Sequence, residues 1–275
     1  MCRFFAFRST LPVCESVSLC GMANSLTTQS RCDAGGESHI DGWGLASYDE
    51  EGEPRVTKSV QAAFSDLRFD ELAKSLTTTA LVAHVRQASV GRAALVNTHP
   101  FVHGRWVFVH NGTLQDFAAR KGLLRDAIPD DLRQMIRGDT DSEHVFLFWL
   151  SQLRAGAGGL NERLGIDTVA ATLQQTIKLL NRWFPTHKGE ESKFNFVVTD
   201  GRLLVASRWG HSLSYLERQI EGSAGGIDRS PHAADNSRAV YIASEATNTD
   251  SWREVPDHSL LVVDERLELH ATSLT

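Results

Sequence analysis

The sequence contains few cysteines, no long apolar run and no block of basic residues. Its 275 residues include four cysteines and 28 Lys and Arg against 34 Asp and Glu, a net charge of −6. No stretch approaches the roughly 18 apolar residues of a membrane-spanning helix. No Lys/Arg cluster marks a surface for nucleic acid or anionic lipid. We therefore expect no nucleic-acid partner and no membrane partner.

Several catalytic signatures are also missing. There is no Walker A motif, no G-x-G-x-x-G and no G-x-S-x-G, which disfavours nucleotide binding and serine-hydrolase chemistry. Six side chains are candidate metal ligands: His84, His99, His103, His110, Asp139 and Asp141. No H-E-x-x-H joins them, however, and Pro100 interrupts the spacing between His99 and His103. We predict no metal and no cofactor, and we interpret His110 as a hydrogen-bonded structural histidine.

Apolar periodicity predicts strands, then helices, then strands again. Strands are expected at 4–8, 42–48, 79–86, 106–110, 194–199, 202–208, 240–244 and 260–264, and helices at 64–76, 142–154 and 168–183. Asp200-Gly201 is a hairpin signal, and the stretches 24–38 and 221–237 are expected to be loops. This pattern favours an α+β fold with mainly antiparallel sheets. We expect one domain spanning 1–275.

All four cysteines fall near the start of the chain, and none forms a C-x-x-C pair. They are Cys2, Cys14, Cys20 and Cys32. A chain of this length does not need disulfides, and Arg8 and Glu15 interrupt any apolar segment of a secretory signal. We therefore expect a cytoplasmic protein with reduced thiols, in which the last three cysteines have no chemical role.

Cys2 directly follows Met1, and this position gives it a chemical option that the other cysteines lack. Removal of Met1 would make Cys2 the first residue, with a free α-amine beside its thiol. An α-amine has a pKa of about 7.7 to 8.0, so near pH 7 it can serve as general base for that thiol. The alternative is that a cysteine stands at this position by chance.

Two polar segments follow predicted strands. Arg86 ends an apolar strand and can bind a carboxylate through two parallel hydrogen bonds, although for a single arginine a surface ion pair is the favoured interpretation. Asn111-Gly112 ends the next strand. This pair is either a turn or an oxyanion hole, because the Asn amide and the Gly N–H both donate.

The segment Gly138-Asp-Thr-Asp-Ser-Glu143 precedes a strongly amphipathic predicted helix. One interpretation is capping, with Thr140 or Asp141 as N-cap and Glu143 in the first turn. Another is recognition of a substrate ammonium by a carboxylate. The two interpretations are compatible, since different carboxylates can serve each role.

Together these segments resemble the class II glutamine amidotransferases, a branch of the N-terminal-nucleophile hydrolases. Six motifs occur in the family's order: Met1-Cys-Arg, Asp41-Gly-Trp-Gly44, His84-Val-Arg86 with Ser89 and Gly91, Asn97-Thr-His-Pro-Phe101, His110-Asn-Gly112 and Asp139-Thr-Asp-Ser-Glu143. The later segments Tyr241-Ile-Ala-Ser-Glu245 and Trp252-Arg-Glu-Val-Pro256 resemble the compact single-domain branch, which includes the γ-glutamyl hydrolase of ergothioneine biosynthesis. The resemblance covers nearly the whole chain, more loosely after about residue 160.

The resemblance implies a four-layer αββα sandwich and assigns a role to each motif residue. Cys2 would be the nucleophile, and Asn111 with the Gly112 N–H would stabilise the oxyanion. Arg86, with help near Ser89, would hold the α-carboxylate of a γ-glutamyl group, and Asp141 its α-ammonium. Two departures from the family pattern are Gln87, where an aromatic residue is frequent, and a long loop-like insertion at 10–38.

The expected reaction is hydrolysis of a γ-glutamyl amide, in glutamine or a conjugate, through a Cys2 thioester. We expect no ammonia-accepting synthase domain in 275 residues. Two alternatives stay open: a glutaminase subunit that delivers ammonia to a separate synthase partner, and a non-catalytic module that binds a glutamyl head group. The leaving group has no signature in the sequence.

Overall fold

Two antiparallel sheets pack against each other at the centre of the protein. The computed structural model describes residues 2–160, 163–220 and 237–274. In these ranges the first sheet contains β1 (Arg3–Val13), β2 (Trp43–Tyr48), β3 (Pro54–Ser59), β4 (Thr78–Val85), β9 (Ser214–Gln219), β10 (Arg238–Ala243) and β11 (Arg253–Glu254). Their order across the sheet is β11, β9, β10, β1, β4, β2 and β3. The strand that follows Cys2 is therefore central, between β10 and β4.

The second sheet and the helices complete the described part of the fold. Its strands are β5 (Phe101–His103), β6 (Trp106–Asn111), β7 (Asn195–Thr199), β8 (Leu204–Arg208), β12 (Ser259–Val263) and β13 (Leu269–Ser273), in the order β13, β12, β8, β7, β6 and β5. The helices are α1 (Leu26–Arg31), α2 (Leu67–Ser75), α3 (Phe117–Ala127), α4 (Asp130–Arg133), α5 (Asp141–Ala157) and α6 (Ile166–Trp183). Among the described residues, none of these helices has the length and apolarity needed to cross a membrane.

The side chains of β1 alternate between two apolar layers, as a period of two requires. Phe4 and Ala6 enter the layer between the two sheets. Phe5 and Phe7 enter the layer that α1 and α2 cover. A third layer lies between the second sheet and α3 to α6, where Phe108 stacks on Phe146 at 5.4 Å between ring centroids. The layers run helix, sheet, sheet, helix, which confirms the predicted αββα sandwich.

The long predicted helices and the hairpin are confirmed. The patterns at 142–154 and 168–183 correspond to α5 and α6, and the pattern at 64–76 corresponds to α2 with a 3₁₀ turn before it. Asp200-Gly201 joins β7 to β8. Gly201 has φ +86°, and a Cβ there would lie 2.6 Å from the Tyr48 ring, so both conformation and space require glycine.

The prediction of a loop at 24–38 is wrong in part, because the stretch contains α1. Ser25 caps this helix by accepting a hydrogen bond from Thr28 N at 3.4 Å, and Leu26 is fully buried beneath it. The proposed insertion at 10–38 likewise contains the end of β1 and a helical turn at Val17–Gly21. The predicted loop at 221–237 lies, apart from Ser237, outside the described residues.

Candidate active site

Cys2 lies at the start of the central strand. Its thiol donates a hydrogen bond to the Gln87 carbonyl at 3.3 Å, and Arg3 Nη1 donates to the Cys2 carbonyl at 3.1 Å. Burial raises the pKa of the Cys2 thiol, the nearby Arg86 cation opposes this rise, and the Asp141 carboxylate adds to it. The thiol is therefore protonated near neutral pH and needs a base to react.

A buried ionic network, the Arg3 network, fixes the residue after Cys2. Arg3 contacts Asp33 at 2.7 Å and Glu245 at 3.2 Å, and all three side chains are less than one-fifth exposed. Asp33 also binds His39 at 3.0 Å, and Asn24 donates to Glu245 at 2.8 Å. Since Arg3 also holds the Cys2 carbonyl, the network restrains the backbone that carries the thiol.

Arg86 directly follows β4 and is 2 % exposed. Its guanidinium donates to the carbonyls of Val90, Gly91 and Arg92 at 2.8, 3.0 and 3.3 Å. A guanidinium has five N–H donors, and these contacts use three of them. The predicted alternative of a surface ion pair is wrong: Arg86 is buried and braces the turn that carries Ser89.

Ser89 is placed by this turn and by the opposite loop. Its hydroxyl contacts the Thr113 hydroxyl at 2.9 Å, and the preceding Ala88 N–H donates to Asp41 at 2.7 Å. Asp41 belongs to the Asp41-Gly-Trp-Gly44 motif, whose Gly42 carbonyl accepts from Arg86 N at 2.8 Å. Two sequence motifs, and the residue that directly follows the His110-Asn-Gly112 motif, therefore meet at one edge of the site.

Asn111 and Gly112 lie where β6 ends. Asn111 is 1 % exposed, its Nδ2 is 3.5 Å from Ser244 Oγ, and its Oδ1 has no partner within the part of the chain that the structure describes. A Cβ at Gly112 would lie 2.1 Å from the Lys193 carbonyl oxygen and 2.4 Å from His110 Nε2. Glycine is therefore required there by its own neighbours, in addition to any approach by substrate.

Asp141 is the first residue of α5 and is buried. Its carboxylate accepts from Leu114 N and Ser142 N, both at 2.8 Å. Thr140 is the N-cap and accepts from Glu143 N at 3.2 Å, so the capping interpretation is confirmed with Thr140 in that role. Asp141 keeps further lone pairs, because an ionised carboxylate offers about four acceptor positions.

A cavity of about 180 Å³ brings most of the predicted residues together. Its lining comprises Cys2, Gln87, Ala88, Ser89, Asn111, Gly112, Thr113 and His211. Arg86 and Asp141 do not line the cavity and are almost completely buried. Their charges nevertheless act on the thiol, with opposite signs. The site thus combines a thiol, two amide donors, a buried cation and a buried anion.

The histidines pack within the fold. His110 binds Ser142 Oγ at 3.0 Å and the Lys193 carbonyl at 2.9 Å, which confirms it as a hydrogen-bonded structural residue. The rings of His84 and His99 are in contact, with 4.2 Å between their centroids and a tilt of 32° between their planes. Burial lowers the pKa of His84 to about 3, so this ring is neutral at pH 7. Over the described ranges, no group of three or more His, Cys, Asp or Glu has metal-site geometry.

Comparison with known proteins identifies the family. The family model described as class II glutamine amidotransferases matches residues 1–273. The chain belongs to this family. This class II amidotransferase is 28% identical in sequence to the "Probable glutamine amidotransferase DUG3" of Saccharomyces cerevisiae, over 96% of this chain and 82% of that protein. It is 25% identical to the "Gamma-glutamyl-hercynylcysteine sulfoxide hydrolase" of Mycolicibacterium smegmatis, over 83% and 79% respectively.

Solved structures support the fold of this class II amidotransferase. A glutamine aminotransferase class-II domain protein from Silicibacter pomeroyi aligns over 99% of both chains with a TM-score of 0.63 and 21% identity. The glutamine phosphoribosylpyrophosphate amidotransferase of B. subtilis aligns over 99% of this chain and 49% of that one, with a TM-score of 0.64 and 14% identity. Membership of this family supports the assignment of the chain as an amidohydrolase.

Two residues at the site of this class II amidotransferase were not predicted from the sequence as site residues. Ser244 Oγ accepts from Phe4 N at 3.1 Å and contacts Asn111, and it lies in the later segment flagged only for its resemblance. His211 lines the cavity, and burial lowers the pKa of its ring to about 3. Nothing in the local sequence distinguishes His211, because only the fold brings the loop after β8 to Cys2.

Proposed function

We propose that this protein hydrolyses a γ-glutamyl amide through a thioester on Cys2. The observation that carries the proposal is the shared cavity of the Cys2 thiol with Asn111 and Gly112. A nucleophile and two amide donors at one cavity are the parts that acyl transfer needs. Family membership and the similarity to a named γ-glutamyl hydrolase support the same chemistry.

In the proposed reaction, removal of Met1 exposes the α-amine of Cys2, which takes the thiol proton. The sulfur attacks the γ-carbonyl carbon, and the oxyanion accepts hydrogen bonds from Asn111 Nδ2 and the Gly112 N–H. Collapse breaks the C–N bond, and the leaving amine takes the proton. Water then attacks the thioester, which releases glutamate and restores the thiol. The raised pKa of the buried thiol is the reason why a base is required.

We assign the glutamyl head to Arg86 and Asp141. A free amino-acid head carries one carboxylate and one ammonium, and Arg86 and Asp141 supply the complementary charges. Both are buried, and both act on the pKa of the Cys2 thiol, with opposite signs. Arg86 retains two donors beyond the three bonded to loop carbonyls. Ser89, on the turn that Arg86 braces, assists at the carboxylate.

The leaving group then lies toward His211, a cavity residue that is remote in sequence from the head-site motifs. A stand-alone hydrolase of γ-glutamyl conjugates is the function we favour. The relative named as a glutamine amidotransferase favours a second candidate, a glutaminase that supplies ammonia to a separate synthase. His211→Ala should alter the ratio of rates among γ-glutamyl substrates and leave the rate with glutamine less affected.

The decisive experiment combines mass spectrometry with two assays on the purified chain. Intact mass reports whether Met1 is removed, and the assays follow ammonia from glutamine and glutamate from γ-glutamyl conjugates. Cys2→Ala should abolish both activities, whereas Cys14→Ala, at an exposed thiol, should retain them. Full-rate hydrolysis by protein that retains Met1 would contradict the mechanism. Ammonia release that appears only with a partner would favour the glutaminase subunit.

A further inference from the structure

A second depression lies between the edge strands of the two sheets, away from Cys2. Strand β3 ends the first sheet and β5 ends the second, and the segment before α5 closes the space between them. The depression has a volume of about 500 Å³ and is lined by Val56, Lys58, Leu95, Val96, Phe101, Val102, Met135, Arg137 and Glu143. None of these residues lines the Cys2 cavity, so the two sites are separate.

The walls of this edge depression expose an unusual amount of apolar surface. Eleven large apolar side chains are exposed in the described residues, and five of them line it: Val56, Leu95, Val96, Val102 and Met135. Leu95 is 53% exposed and Val96 44%. A clustered apolar patch of this kind marks a binding surface more often than scattered residues do.

The uncompensated charge in the edge depression is positive. Lys58 is half-buried with Nζ 5.3 Å from the centroid of the Phe101 ring, and Arg137 is exposed. Within the described ranges neither cation forms an ion pair. The Glu143 carboxylate, which accepts from Arg137 N at 2.9 Å and Gly138 N at 2.7 Å, keeps its charge and acts on Lys58. Two cations and one carboxylate in the lining leave a net charge of +1. The chain as a whole carries −6, so this local sign is distinctive.

We propose that the edge depression binds a small apolar molecule that carries a carboxylate. Lys58 and Arg137 would bind the carboxylate, and the apolar body would cover Val96, Met135 and their neighbours. The volume lies within the roughly 300 to 1,000 Å³ typical of small-molecule sites, and a few polar groups in an apolar lining are their usual composition. A second copy of the chain fits less well, because a symmetric contact would set these cations against each other.

The test is a binding titration of the methyl-labelled full chain followed by NMR, with octanoate as probe and 1-octanol and octylammonium as matched controls. We expect saturable shifts at the methyl groups of Val56, Val96 and Met135. Octanoate should bind about tenfold more tightly than 1-octanol, because a charge-assisted hydrogen bond adds to the apolar contact, and octylammonium should bind most weakly. Equal affinities for octanoate and 1-octanol, or shifts confined to other methyl groups, would overturn the proposal.

Variants separate the charge from the apolar surface. Lys58→Met should remove the preference for octanoate and keep the affinity for 1-octanol. Val96→Asp should abolish octanoate binding, whereas Val60→Asp, at an exposed valine outside the depression, should not. Light scattering on the same samples provides a further check: a ligand-free dimer that Val96→Asp dissociates would mean that a second copy covers this face, and the proposal would fall. The titration measures no catalysis, so its outcome is independent of the proposed hydrolase activity.

Discussion

Asn111 and Asn195 lie opposite each other on β6 and β7, yet their amides are used in contrasting ways. Asn195 accepts from the backbone N–H groups of Trp209 and His211 at 2.9 and 3.2 Å, and it donates to two carbonyls of the same loop. Asn111 makes one long contact at 3.5 Å and leaves Oδ1 without a partner among the described residues. Both are buried. Asn195 holds a loop, whereas Asn111 keeps its amide available.

This contrast separates a residue that holds the structure, Asn195, from one that is proposed to act on the substrate, Asn111. Buried polar groups are normally satisfied, so an under-bonded one calls for an explanation. At Asn111 the donor Nδ2 has one long contact at 3.5 Å among the described residues, and the proposed oxyanion would give it a strong partner only during the reaction. The unpartnered Oδ1 is an acceptor, which an oxyanion does not satisfy. Arg86 and Asp141 lie between the two cases, because protein atoms fix them while donors or lone pairs remain for a substrate.

The largest expected effect is on turnover in Asn111→Ala. Removal of one oxyanion donor typically lowers kcat by about 10² to 10³. The free energy of unfolding should change little, because within the described residues the side chain forms one long hydrogen bond. Steady-state kinetics and thermal unfolding of the same preparation check both parts. A variant that is strongly destabilised but turns over normally would reverse the roles assigned to the two asparagines.

The matched change Asn195→Ala should act mainly on stability. It leaves buried N–H groups of Trp209 and His211 without their acceptor, which we expect to lower the free energy of unfolding by about 2 kcal/mol. Denaturant unfolding measures this loss. Turnover should also decrease to a smaller extent, because the loop carries His211 into the cavity. Unchanged stability would show that the four hydrogen bonds of this amide are dispensable.

Asp141→Asn tests the proposed ammonium contact. The variant keeps the size of the side chain and removes its charge, so KM for glutamine or a γ-glutamyl substrate should rise about tenfold or more. Asp139→Asn is the matched control, since Asp139 is exposed in the same segment. Its KM should remain near that of the parent chain. Equal effects of both changes would remove Asp141 from the head site.

The smallest expected effect is a pH dependence of stability that arises in the Arg3 network. Burial lowers the pKa of His39 to about 4, whereas an unfolded histidine titrates near 6.5. The unfolded state therefore binds the proton first, and stability is lost as pH falls from about 6.5 toward 4. We expect His39 to account for roughly 1 to 2 kcal/mol between pH 6.5 and 5. Denaturant unfolding of the parent chain and of His39→Gln across this pH range measures the effect. The free energy of unfolding should depend less on pH in the variant.

Regular apolar spacing predicted the long helices and the antiparallel sheets, whereas the four-layer arrangement was implied by the resemblance to the family. The spacing missed α3 and α4, since α3 buries only Phe117 and Leu124 and so has little periodicity to detect. Cys2, Ser89, Asn111 and Gly112 meet at one cavity as their motifs suggested. The loop carbonyls around Arg86 and the arrival of His211 depend on tertiary packing, which no local pattern contains.

The Arg3 network has a consequence for the precision of the proposed chemistry. Residues at a strand end normally fray, and a fraying thiol would spend most of its time misaligned with a carbonyl carbon. Here Asp33 and Glu245, remote in sequence from each other, hold Arg3 and with it the start of β1 beside the thiol. The stretch first interpreted as an insertion is thus a brace. A shorter segment would first lower the rate of reaction at Cys2, because the thiol would be less precisely positioned. The stability of the sandwich would be affected less.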